Sequence, residues 1–122
     1  MSTITPSIIA IKSKAFALRI IHFYDYLAQE KREFILSKQI LRSGTSIGAN
    51  IRESKNAQSS SDFIHKLAVA LKEADETAYW LELLVESNII EQDRFDSLYS
   101  DLNEIIAILT SIIKTSKLKS AK

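Results

Sequence analysis

Two glycines and one proline in 122 residues leave this chain few places to bend. Both glycines stand in Arg42-Ser43-Gly44-Thr45-Ser46-Ile47-Gly48-Ala49-Asn50-Ile51-Arg52-Glu53-Ser54, inside a stretch whose apolar spacing otherwise predicts one continuous helix. A glycine within a helix costs about 1 kcal/mol relative to alanine. That cost is tolerated where a neighbouring helix must come close. Gly44 and Gly48 are one turn apart, so they address the same neighbour, and Asn50 with Glu53 is expected to hydrogen-bond to the next helix. The stretch reads as a helix-packing device. It lacks the lysine and spacing of a phosphate loop.

Four amphipathic segments follow from the periodicity. Thr5-Pro6 suits an N-cap followed by proline at the first helical position, and the first helix covers residues 6–29. Ile9, Phe16, Ile20, Phe23 and Leu27 form its core stripe. The second covers 33–56, with Leu36, Ile40, Ser43, Ile47 and Ile51 facing inward. The third covers 62–87 after the serine-rich loop Gln58–Asp62; Ile64, Leu71, Ala78 and Val85 form one stripe, and Leu67, Ala74 and Leu81 another. Asn88 is the expected left-handed stop. The fourth covers 92–117 on Phe95, Leu98, Leu102, Ile105, Leu109 and Ile112, with a frayed tail at 118–122. Short connections favour a single all-α domain over residues 1–122: an up-down-up-down antiparallel four-helix bundle.

Composition excludes several function classes. No cysteine is present, so disulfides and thiolate chemistry are out. No apolar run approaches the roughly 18 residues of a membrane span, and the amino terminus lacks a secretory pattern. A soluble cytoplasmic protein is expected. Asp62 and His65 share a helix face, but no second pair completes a carboxylate-bridged metal site. No histidine base is paired with a nucleophile. The expectation is therefore no enzyme, no metal, no cofactor and no small-molecule substrate.

The net charge of +1 hides a division: residues 1–56 are net +5, residues 57–113 net −8, and residues 114–122 net +4. On the second helix Lys38, Arg42, Thr45, Ala49, Arg52 and Asn56 form a line opposite the core line. Cations among small polar groups on one helix face suit nucleic-acid phosphates. Lys12, Arg19 and Lys55 extend this candidate surface. A competing reading pairs Arg42 or Arg52 with Glu73 or Glu76 of the third helix and leaves a protein-interaction scaffold that binds no nucleic acid. The third helix is apolar nearly all round from Ala78 to Val85, with Val69, Glu73, Glu76, Trp80 and Leu83 on its outward side. A helix apolar on every side is buried on every side, so these five residues are the candidate interface of a homo-oligomer. The competing placement puts Trp80 under the connection to the fourth helix within one chain.

Leu41–Glu53, together with Asp62-Phe63-Ile64-His65-Lys66-Leu67 and Lys72–Leu81, resembles the bacterial four-helix bundle proteins related to the 23S ribosomal RNA intervening-sequence proteins. The resemblance covers roughly residues 20–117. It implies a left-handed bundle assembled as a ring of five. It also extends to the accessory proteins of diversity-generating retroelements, which bind nucleic acid and a reverse transcriptase through a basic surface. Those members are strongly basic, whereas this chain is not. The function expected is a non-enzymatic, homo-oligomeric accessory protein that associates with RNA.

Overall fold

The computed structural model describes residues 7–120. They form four helices, α1 (Ile8–Gln29), α2 (Leu36–Ser54), α3 (Ser60–Glu86) and α4 (Gln92–Ser120). Consecutive helices pack on each other, and α4 closes back on α1. Contacts across each pair run in opposite senses. Ser13 lies by Gly48 and Ile20 by Gly44, while Ser43 bonds Thr77 and Glu53 meets Lys66. The architecture is an up-down antiparallel bundle, as the periodicity indicates.

The core stripes read from α1 and α2 are buried, except that Leu36 is half-buried. On α3 the structure adds Ala70, Thr77 and Leu84 to the buried set, and leaves Ile64, Leu71 and Val85 half-buried. α2 passes Gly44 and Gly48 without a break.

The helix ends differ from expectation by capping chemistry. Thr5-Pro6 lies outside the described residues, and α1 is capped by Ser7, whose Oγ accepts from the Ala10 N–H at 3.1 Å. α2 starts three residues later than the spacing suggests. Its start has no capping side chain at Ile35; instead the Glu33 carboxylate accepts from the backbone N–H groups of Ile35, Leu36 and Ser37 at 3.2, 3.0 and 2.7 Å. Those donors have no carbonyl partner within the helix, and a negative charge suits that end. Glu33→Ala is expected to lower stability by about 1 kcal/mol, read as a reduced urea midpoint.

α3 starts two residues early, because Ser59 rather than Asp62 is the cap: its Oγ accepts from the Asp62 N–H at 3.0 Å, and the Asp62 carboxylate accepts from the Gln58 N–H at 3.2 Å. Asn88 ends α3 at a φ of 64°, as expected. The Ile89 N–H returns to Leu84 O and the Asn88 N–H to Val85 O, at 3.0 and 3.1 Å, which closes the helix carbonyls. α4 continues to Ser120, so residues 118–120 of the expected frayed tail are helical, and 121–122 lie outside the described residues.

One buried side-chain oxygen among the described residues, Ser37 Oγ, has no hydrogen-bond partner. Removing an unsatisfied buried group relieves its desolvation cost. Ser37→Ala is therefore expected to leave stability unchanged or raise it, measured by thermal melting.

Candidate nucleic-acid interface

Small side chains set the α1–α2 seam. A groove of about 350 Å³ lies there, lined by Ala10, Ser13 and Ala17 of α1 and Thr45, Gly48 and Ala49 of α2. Lys14, Arg52 and Lys55 complete the lining. All three are exposed, and none forms an ion pair among the described residues. A second cleft of about 500 Å³ adjoins it at the end of the bundle, where Lys55 and Lys119 stand among Ser54, Ser59, Ser60, Ser116 and Ser120.

Antiparallel packing sorts charge along the bundle axis. The end that holds the start of α1, the α2–α3 connection and the last turns of α4 carries Lys12, Lys14, Arg52, Lys55, Lys66, Lys114, Lys117 and Lys119 against Glu53, Asp62 and Glu104. The opposite end carries Asp25, Glu30, Glu33, Glu82, Glu86, Glu91, Asp93 and Asp96 against Lys31, Arg32, Lys38 and Arg94. A near-neutral chain thus presents one basic and one acidic end, and such a field raises the local concentration of an oppositely charged partner.

The six sequence-selected cations divide into two groups. Arg52 and Lys55 lie on the groove, and Lys38 is exposed at the acidic end. The other three are engaged by carboxylates. Lys12 Nζ is 3.1 Å from Glu104. Arg19 donates to Asp101 at 2.7 Å and to the Ser97 carbonyl and hydroxyl at 3.2 and 2.8 Å. Arg42 donates to Glu73 at 3.0 Å and also to Glu76, so the expected Arg42 pairing forms within one chain, whereas Arg52 has no such partner. Lys14 escaped the sequence reading. Its signal was the cation itself, but only the packing shows that this edge of α1 faces α2.

The packing residues fall where their chemistry puts them. Gly44 lies against Ile20 and Gly48 against Ser13, both on α1. Asn50 departs from expectation: its Nδ2 donates to Ser46 O of its own helix at 2.9 Å instead of reaching a neighbour. Glu53 does reach across, accepting from Lys66 at 3.0 Å.

The outward side of α3 is only half exposed in a single chain. Val69, Glu73, Glu76, Trp80 and Leu83 are each partly buried. Trp80 packs against the core, and its Nε1 donates to Glu76 at 3.1 Å. The Arg42 hydrogen bond, the largest influence, holds the Glu76 carboxyl below the usual carboxylate range; desolvation opposes it, and the weaker Trp80 hydrogen bond adds to it. A depressed folded-state pKa gives stability that is present above the unfolded value and lost as pH falls through the folded one. The pair is half exposed, so the effect is expected to stay below about 1 kcal/mol. Melting temperatures of the wild type and Arg42→Ala should differ at pH 6 and converge as the pH drops below the ordinary glutamate range.

No helix among the described residues is long and apolar enough to cross a membrane. No group of three or more histidine, aspartate or glutamate side chains among them is placed to hold a metal ion.

The fold and groove define a class: an antiparallel up-down bundle with a basic end and a cation-lined seam. Its sequence places it further. The family model of the 23S rRNA-intervening sequence protein matches residues 7–111, and the chain belongs to that family. It is also similar to a crystal structure of a protein of unknown function from the S23 ribosomal protein family of Bacteroides thetaiotaomicron VPI-5482. That likeness has 55% sequence identity and a TM-score of 0.87, over 88% of this chain and 99% of the other. Among curated proteins, none matches.

Proposed function

We propose that this protein is a non-enzymatic accessory protein of the cytoplasm that associates with RNA by holding its phosphates, and that it works as an assembly of several copies. Five is the number that the family resemblance implies. The observation that carries the reading is the α1–α2 groove, where Lys14, Arg52 and Lys55 converge without carboxylate partners among the described residues. Small neighbours let a backbone lie close to those cations, and Lys119 continues the charge past Lys55. No base-reading side chain is needed, because phosphate contacts position a nucleic acid without reading its sequence. The family's name, which ties it to 23S rRNA, agrees with this chemistry.

The test is affinity for a structured RNA across a salt series. Log affinity should fall linearly with log salt, and three phosphate contacts give a slope of about −2 to −3. Undetectable binding at low salt rejects the reading.

A protein-interaction scaffold is the second reading. It is favoured by the capture of Lys12, Arg19, Arg42 and Lys66 by carboxylates of the same chain. It gives the opposite result in the same titration.

A further inference from the structure

The packed core stops short of the basic end of the bundle. The last buried side chain of α4 is Ile113, yet the helix runs on to Ser120, about 10 Å further at 1.5 Å per residue. Where the core ends there is a recess of about 260 Å³. All four helices wall it: Ile9 of α1, Ile51 of α2, Phe63 and Leu67 of α3, and Ile112 of α4. Ile9, Ile51 and Leu67 are buried, and Phe63 and Ile112 are half-buried against the core. Protein interiors leave few spaces larger than a water, and a space of about 150 Å³ with walls of this kind already takes one aromatic ring.

The polar groups stand at the rim. Ser54 and Lys55 are shared between the recess and the cleft of about 500 Å³ beside it, which also carries Lys119. Both lysines are exposed, and neither forms an ion pair among the described residues. No carboxylate among the described residues lines either space. Glu53 and Asp62, close by in sequence, line a different depression together with Lys66. Ser7 Oγ accepts from the Ala10 N–H, which leaves its own proton to donate at the recess.

Apolar walls with a few polar groups at one side are the usual build of a small-molecule site, and the space between helices of a bundle is a usual place for one. A nucleic-acid backbone brings phosphates for the lysines but nothing for the five apolar side chains, so RNA does not account for the recess. The geometry points to a binding site for a small amphipathic anion, an acidic head group on a short hydrocarbon chain. The chain enters between the helix ends, and the head stays at the mouth against Lys55 and Lys119. Burial of methylene groups drives binding, and the lysines decide which end of the ligand goes in. The inference goes beyond the RNA reading and does not rest on it.

Calorimetric titration of the full chain with sodium octanoate, without RNA, tests it. Octanoate is expected to bind one per chain with a Kd below about 1 mM, a moderate efficiency for a ligand of about ten non-hydrogen atoms. Octanol keeps the chain and loses the charge; acetate keeps the charge and loses the chain. Each should bind at least tenfold more weakly. Ile112→Trp, which fills the recess, should weaken octanoate binding tenfold or more, and so should Lys55→Gln with Lys119→Gln. Absence of saturable octanoate binding overturns the inference. So does octanol or acetate binding as tightly as octanoate, or wild-type affinity in the tryptophan variant. Should that variant lose its helix content, the double lysine variant decides, because both side chains are exposed; wild-type affinity there counts against the site. RNA binding is read separately, in the salt series, so either reading can fall alone.

Discussion

Gly44→Val is expected to cost the fold about 3 kcal/mol or more, the upper range for overpacking a filled core. A Cβ at position 44 would lie 2.9 Å from Ile20 Cγ1, 3.0 Å from Cγ2 and 3.3 Å from Cβ. Ile20 is fully buried and β-branched, so its side chain has no empty rotamer to retreat into. Relief must come from the backbone, by moving α2 off α1. Valine adds two further methyl groups to that collision. The helix-propensity gain from replacing glycine is at most about 1 kcal/mol and cannot offset it.

Gly48 gives the contrast. A Cβ there would meet Ser13 O and Oγ at 3.4 Å, ordinary contact. Gly48→Ala should therefore keep most of the propensity gain and stabilise the protein by up to about 1 kcal/mol. Urea unfolding of both variants checks the pair. A Gly44→Val protein as stable as the wild type would show that the Ile20 contact does not set the α1–α2 distance.

The bundle was legible because its core is written in side chains of fixed period. Phe16, Ile20 and Phe23 on α1, and Ile40, Ile47 and Ile51 on α2, have no other place to go. The helix starts were less legible. Several serines and acids near each boundary can cap, and only the backbone path selects Ser59 over Asp62 or brings Glu33 over the start of α2. On α3 the sequence shows a wide apolar surface but not what covers it. α3 lies between α2 and α4 and buries two edges at once, which takes up Ala70, Thr77 and Leu84 and half-buries Trp80. The apolar side left most open is on α1, where isoleucines and a leucine stand singly among polar neighbours and form no run. The charge pattern was hidden for a topological reason. Lys14, Lys55 and Lys119 are far apart in sequence, and antiparallel packing gathers them at one end. Counting charge helix by helix sees a basic half and an acidic half of the chain, not of the molecule.

That gathering gives the largest functional effect expected. Reversing two cations together, Arg52→Glu with Lys55→Glu, should weaken RNA binding about a hundredfold at 0.1 M salt, since it removes two phosphate partners and adds two repulsions. The salt slope should become shallower by about 1.5 to 2, because two fewer phosphates are neutralised and fewer counterions are released. Stability should not follow. Neither side chain makes an ion pair among the described residues, and both are exposed. Arg19→Ala and Lys12→Ala should behave in the opposite way, because these cations already face Asp101 and Glu104 across the α1–α4 seam. Removing one leaves a carboxylate unpaired near the surface, a loss of about 1 kcal/mol or less in stability, with little change in the salt slope. The two sets separate a cation that serves the fold from one that serves a polyanion. RNA affinity and slope unchanged by the double reversal would place the phosphates away from the groove, whatever the wild-type affinity.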